Sequence, residues 1–258
     1  MSETIFLIST FLLGLIFGSF ANVCIYRLPK SKTLMWDRSF CPKCKKMINW
    51  YDNIPLISYL NLNGKCRKCK KKIPAQYFIV EFISGVGFLL IYLNFNNYPS
   101  IIFTSILLII FLIIFFIDLK HFIIPDSLNI GIAALAIIKN FLPNFNNSFV
   151  QDINQSVSGG IAGYLTIWII IYLYRVIKKI EGMGFGDAKL MAGIGLLFGW
   201  QSIPFVLFVS SLLGLIFVIP SLINKKKNLK TEIPFGPFII IACTIYFIYG
   251  KYLYSLII

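Results

Sequence analysis

Long apolar runs recur along the whole chain, and they restrict the fold more than any other feature. A helix crosses the hydrocarbon layer of a bilayer with roughly 20 apolar residues. Eight segments meet or approach that length: Thr4–Tyr26, Ile73–Phe95, Pro99–Ile117, Ile124–Leu142, Val157–Tyr174, Ala188–Trp200, Ile203–Ile223 and Pro234–Gly250. The sixth, at 13 residues, is the shortest. Turn-prone residues separate them, among them Asn94, Asn96, Asn97 and Pro99, the stretch Pro143 to Asn147, Pro204, and Asn224. Only 13% of the 258 residues are charged, where a soluble domain carries about 25%. That is too little polar surface to coat a water-soluble globule. Soluble-enzyme, fibrous and disordered classes are thereby excluded, and the chain is expected to be an all-α polytopic membrane protein of about eight transmembrane helices. The first run follows Glu3 rather than a basic segment and exceeds a signal-peptide core, so it is expected to be retained.

Lysine and arginine give the orientation. Residues Arg27 to Lys72 hold 13 of them against two acids, Asp37 and Asp52. With this loop in the cytoplasm and the spans alternating, the inside loops collect Lys120, the group from Arg175 to Lys189 and the group from Lys225 to Lys230. Of 24 basic residues, 22 then lie inside, and only Lys139 and Lys251 fall outside. The N-terminus is expected outside. The basic loop is an orientation signal with an attraction to anionic lipid; nucleic-acid binding is not implied.

That loop carries two cysteine knuckles, Cys41-Pro-Lys-Cys44 and Cys66-Arg-Lys-Cys69. Each tight turn offers two thiolates, and a zinc ion takes four at tetrahedral corners. Lys43, Lys45, Arg67 and Lys68 favour thiolate over thiol. Disulfides are the alternative, and a cytoplasmic loop disfavours them. The expectation is a closed, structural zinc site. Cys24 and Cys243 lie in apolar runs and read as packing residues. The segment Trp50-Tyr51-Asp52-Asn53-Ile54-Pro55-Leu56 brings aromatic and apolar residues into this basic loop, which points to docking on the membrane face or the core.

With one histidine, His121, zinc-protease motifs are impossible and any acid–base chemistry inside the membrane falls to ten Asp and Glu residues. Acids in or beside spans are costly and are functional candidates by default. Glu81 lies in the second run, Asp118 ends the third, and Asp187 begins the sixth within Gly184-Phe185-Gly186-Asp187-Ala188-Lys189. The basic-residue topology places Asp118 and Asp187 at one face, the cytoplasmic one. Two carboxyls held close share a proton, so one acts as base on water while the other polarises a carbonyl. Gly184 and Gly186 leave room for a substrate backbone beside Asp187. Taken singly, Asp118 is equally readable as a partner of Lys120, and Asp187 as a helix cap or a partner of Lys189. Glu81 is equally readable as a hydrogen-bonded acid in the bundle. Asp126, after Ile124-Pro125, is expected to cap the next helix.

At these residues the chain resembles the bacterial type IV prepilin peptidases (prepilin leader peptidase/N-methyltransferase). The resemblance runs nearly the whole length: Gly18-Ser19-Phe20-Ala21-Asn22-Val23 with Arg27-Leu28-Pro29, the Cys41 to Cys69 loop with Asn53-Ile54-Pro55, Gln76 to Glu81, Asp118 with Ile124-Pro125-Asp126, Gly184 to Lys189, and Pro234-Phe235-Gly236-Pro237-Phe238. It implies an aspartic endopeptidase of the plasma membrane with Asp118 and Asp187 as the catalytic pair. Such enzymes remove a short basic leader from type IV pilins and pilin-like proteins. Gly184, Gly186 and Lys189 become candidates for holding the extended substrate. The four cysteines, Cys41, Cys44, Cys66 and Cys69, mark the longer members, which also methylate the new N-terminus with S-adenosylmethionine. Glu81 is the candidate for placing the amine. No soluble-type glycine-rich methyltransferase motif occurs, and Gly14, Gly18, Gly85 and Gly87 read as close helix packing.

Two parts are expected: residues 1–97, with the first span, zinc loop and second span as a methyltransferase part, and residues 98–258 as a six-span peptidase core. Two other classes fit some of the same residues. A proton-coupled transporter would use Asp118, Asp187 and Glu81 as relay sites. A zinc-bearing scaffold would need the cysteines and not the aspartates.

Overall fold

A computed structural model describes residues 2–31, 33, 39–142, 149–150, 152–179, 183–223 and 233–257, with backbone alone at 2, 220–223 and 251–257. The turn from Pro143 to Asn147, Glu181 and the Lys225–Lys230 group lie outside the described residues. What is described is helical, with two isolated β-bridges in the cysteine loop and no longer strand.

The α-helices among the described residues are α1 (Ser2–Arg27), α2 (Ile57–Asn61), α3 (Gln76–Asn94), α4 (Tyr98–His121), α5 (Asp126–Ile138), α6 (Ile153–Lys178), α7 (Phe185–Phe198), α8 (Ser202–Ile223) and α9 (Gly236–Ile257). All but α2 occupy the eight predicted apolar runs. Five of them (α1, α3, α4, α6 and α8) are long and apolar enough to cross a membrane. At 13 and 14 residues, α5 and α7 are shorter than a full crossing. Large apolar side chains such as Phe6, Leu12, Ile16 and Phe20 on α1 stand exposed, as lipid-facing positions do.

The chain divides into two compact units within α4, residues Met1–Ile113 and Ile114–Ile258. In the first unit, α1 and α3 pack through small residues. A methyl on Gly14 would stand 2.6 Å from the Ser84 carbonyl, and one on Gly18 would stand 2.8 Å from the Glu81 Cα. The Ser84 hydroxyl donates to the Gly14 carbonyl at 2.7 Å. The sequence reading of Gly14, Gly18 and Gly85 as packing glycines holds, and Gly87 packs on Leu108.

In the second unit, α6 and α7 approach as closely. A methyl on Gly159 would lie 2.3 Å from the Gly195 carbonyl oxygen, and one on Gly163 would lie 2.4 Å from that of Met191. Asp152 caps α6, its carboxylate accepting the Asn154 N–H at 3.1 Å. Gly199, at φ +79°, turns the chain out of α7. Ile132 of α5 fills the gap over Gly193. Lys139 is fully buried at the end of α5, where its ammonium donates to the Val150 carbonyl and, at 3.2 Å, to Asn140 Oδ1.

Candidate active site

Three helix ends of the second unit build the candidate site. Asp118 stands one turn before the end of α4. The chain then breaks at Phe122, whose φ of +57° ends the helix while its N–H donates to the Asp118 carbonyl at 2.9 Å. An extended stretch through Ile124 and Pro125 leads into α5. Asp187 stands in the first turn of α7, which opens on Gly184 in extended backbone. Both carboxyl side chains belong to buried residues, Asp118 at 4% and Asp187 at 8% exposure. Gly186, next to Asp187, and Gly236, whose N–H donates to Asp118, both abut the one side chain of Ile124.

The third end is the start of α9. The Gly236 N–H donates to Asp118 Oδ2 at 2.9 Å. This is a helix N-terminus aimed at a carboxylate, an arrangement that stabilises negative charge. Ile124 wedges between the glycines of two helices: a methyl on Gly186 would meet its Cβ at 3.1 Å, and one on Gly236 its Cδ1 at 3.2 Å. Gly186 thus makes room for Ile124. A methyl on Gly184 would meet the Asp187 carboxylate at 3.8 Å and the Gly186 N at 3.9 Å, both ordinary contacts.

Asp126 does not cap α5 as expected, and Lys189 pairs with it rather than with Asp187. Asp126 is the first helical residue of α5, one place past the cap position, and its side chain caps nothing. It pairs instead with Lys189 at 2.6 Å, linking α5 to α7 on an exposed surface. The capping assignment of Asp126 is therefore corrected: Pro125 holds the cap position, and the carboxylate is left free to reach the ammonium. Gly236 is the hydrogen-bond partner of Asp118 that sequence spacing did not single out, although the motif around it was visible.

The first unit holds the remaining candidates. The four sulfurs of Cys41, Cys44, Cys66 and Cys69 lie within 4.8 Å of one another, and no disulfide joins them. Cys41 and Cys69 are 3.9 Å apart, against ~3.8 Å for two thiolates on one tetrahedral zinc ion. Both knuckles fold alike. Cys41 N–H donates to Lys46 O and Lys45 N–H to Cys41 O; Cys66 N–H donates to Lys71 O and Lys70 N–H to Cys66 O. Lys45 and Lys70 both take φ +57°. Chiefly through the Cys69 backbone N–H, the Cys66 thiol is pulled down to about 7. The donor set fits a closed zinc site that would brace the loop and supply no chemistry.

Glu81 is buried and hydrogen-bonded, as one of its two readings required. Its Oε2 accepts the Leu56 N–H at 2.9 Å. Leu56 reaches it from a left-handed turn at φ +58°. This links the Asn53-Ile54-Pro55-Leu56 segment to α3. Trp50, Ile57 and Leu60 of the same loop are left exposed.

Five helices able to cross a membrane, two buried aspartates at helix ends and a four-cysteine cluster describe an all-α polytopic membrane protein. The sequence comparisons go further. Residues 12–95 match the bacterial peptidase A24 N-terminal domain, and residues 105–219 match the type IV leader peptidase family. A prepilin leader peptidase/N-methyltransferase of Vibrio cholerae is 37% identical, covering 95% of this chain and 97% of its own. Proteins of the same description are 33% identical in Pseudomonas aeruginosa (95% and 91% covered) and 32% identical in Aeromonas salmonicida (93% and 89%). The chain belongs to the type IV leader peptidase family. No solved structure matches it. The transporter reading gains no support from these relatives.

Proposed function

We propose that this chain is a membrane-embedded aspartic endopeptidase that removes the basic leader from type IV prepilins or pilin-like proteins, and that it N-methylates the new N-terminus with S-adenosylmethionine. The observation that carries the peptidase reading is the burial of Asp118 and Asp187 at helix ends whose neighbouring glycines, Gly236 and Gly186, meet on Ile124. Two such carboxyls hold one proton between them. The ionised partner takes a proton from water as that water attacks the scissile carbonyl. The protonated partner donates to the carbonyl oxygen. The Gly236 N–H on Asp118 Oδ2 favours Asp118 as the ionised member.

Gly184 puts no side chain beside the Asp187 carboxylate, which leaves an extended substrate backbone a way to it, and Lys189 stands two residues on to hold it. Residues 98–258 form the peptidase part and residues 1–97 the methyltransferase part, with Glu81 handling an amine there. S-adenosylmethionine supplies the methyl group. Zinc on Cys41, Cys44, Cys66 and Cys69 braces the loop. In this reading the chain crosses the plasma (inner) membrane eight times, with its N-terminus outside. The zinc loop and Asp118–Asp187 face the cytoplasm, where the basic loop meets anionic lipid. A prepilin that keeps its leader in the cytoplasm and its apolar helix in the bilayer offers its scissile bond at that depth.

The test is co-expression with a pilin-like substrate, read by mass spectrometry. Asp118→Asn and Asp187→Asn are each expected to abolish leader loss while the protein still inserts. Normal cleavage by either variant removes the peptidase reading. A single added methyl on the cleaved wild-type product tests the second activity separately.

A further inference from the structure

One stretch of the basic loop carries no charge. Asn53 to Gly64 are 12 uncharged residues in a loop that holds 13 Lys and Arg. They include α2, and that short helix has two unlike sides. The inner side is satisfied: Ser58 is buried and its hydroxyl donates to the Tyr51 carbonyl at 2.9 Å, while Tyr59 meets the Phe78 ring at 5.4 Å. The outer side is bare. Ile57 is 56% exposed and Leu60, three residues on and so on the same face, is 61% exposed. Trp50, in the turn before them, is 77% exposed. Large apolar side chains grouped on one surface mark an interaction face.

The level of α2 along the unit says what meets that face. The Leu56 N–H, which leads into α2, donates to Glu81 at 2.9 Å. Glu81 is five residues inside α3, roughly 7 Å along its axis from Gln76. A methyl on Gly18 would stand 2.8 Å from the Glu81 Cα, and Gly18 is nine residues, roughly 13 Å, short of the α1 end at Arg27. Both helices are long and apolar enough to cross a membrane. The start of α2 is therefore level with their apolar bodies. Around that level α1 turns Phe17 and Phe20 outward, and α3 turns out Ile79, Phe82 and Ile83. Phe82 stacks on Phe78 at 6.2 Å, and Phe78 meets Tyr59, so a run of rings joins the outward face of α3 to α2. Exposed bases flank the uncharged stretch, Lys43, Lys45 and Lys46 before it and Lys65 to Lys72 after it.

We propose that α2 and Trp50 form an in-plane membrane element. The Ile57–Leu60 edge lies among acyl chains beside α3, Trp50 sits at headgroup level, and the flanking lysines meet lipid phosphates. The occupant of the bare face is the bilayer itself, because the face continues the outward surface of two membrane-crossing helices at their own level. The inference needs α1 and α3 to cross the membrane and nothing of the cleavage or methyl-transfer reading. Through Leu56, the bilayer would then help to hold the loop against Glu81.

The experiment uses the full chain, zinc-loaded, in nanodiscs of phosphatidylcholine and phosphatidylglycerol. A phospholipid with a diazirine on its acyl chain is included, and adducts formed on illumination are located by peptide mass spectrometry. Ile79 and Ile83 of α3 are the positive control. Pro42, Lys43 and Lys45, also exposed on a cysteine knuckle, are the negative one. Adducts on Ile57 and Leu60 are expected within about threefold of those on Ile79 and Ile83, and at least about tenfold above the knuckle. Leu60→Glu is expected to lower adducts on α2 by about fivefold or more and to leave those on α3 unchanged. If that variant does not elute as a single species, the wild-type comparison decides alone. Labelled α3 with α2 no higher than the knuckle overturns the proposal. If the chain also elutes as a dimer, the same result assigns the face to a second copy.

Discussion

Gly236→Ala isolates one contact of the candidate peptidase site. The backbone there lies outside the left-handed region, so alanine brings no conformational strain. The added methyl would sit 2.8 Å from Asp118 Oδ2 and 3.2 Å from its Cγ, where ordinary contact begins at 3.4 Å. Ile124 Cδ1, also at 3.2 Å, blocks the other side. The carboxylate must retreat by about half an ångström, and the Gly236 N–H bond lengthens with it. A displacement of about 1 Å at reacting groups costs about a hundredfold in rate, and a charge-assisted hydrogen bond contributes roughly 1.5–3 kcal/mol. The turnover number is therefore expected to fall between about 10- and 100-fold, with KM within about twofold, because the leader and apolar helix of the substrate bind elsewhere. Steady-state cleavage of a prepilin-like substrate in detergent, quantified by mass spectrometry, measures both. Gly236→Ala turning over within about twofold of wild type, with the protein equally well folded, would falsify the assignment of Asp118 as a geometrically constrained catalytic group.

Cys41→Ser is expected to lower zinc content below one per chain, whereas Cys24→Ser and Cys243→Ser leave it unchanged; metal analysis of the purified proteins decides. Acidification should release the metal as thiolates take up protons. Zinc retained while all four thiols are alkylated would refute the site. Lys189→Met removes an exposed ion pair of about 0.2–1 kcal/mol, so the thermal midpoint should drop by less than about 4 °C. KM for a leader-bearing substrate should rise with kcat kept. An unchanged KM would confine Lys189 to linking α5 with α7.

Much of this architecture was legible because membrane solvent leaves a strong imprint on sequence. Runs of apolar residues located eight helices, and the glycines of α1 and α3 announced a close crossing. The paired knuckles were readable from spacing alone, since a tight turn closes over few residues. Other features depend on contacts that no periodicity records. Gly236 and Asp118 are far apart in the chain, and only the fold brings the N–H to the carboxylate. Leu56 on Glu81 is another such contact, made from a left-handed turn that a leucine does not advertise. Asp126 illustrates a local rule overridden: a proline-led helix start suggested a cap, and a lysine on a neighbouring helix claimed the carboxylate. Lys139 is the opposite case. The basic-residue count left it outside as an exception, and its side chain is buried among carbonyl and amide oxygens.

The glycine crossing between α6 and α7 has a further consequence for how Asp187 is held. A helix of 14 residues has too little length to register itself against both membrane surfaces. At Gly159 and Gly195 its main chain rests directly on that of its longer neighbour, with no side chain between to slide or change rotamer. The vertical position of the carboxylate is thus fixed by the 26-residue α6, the way a short rung is levelled by the rail that carries it.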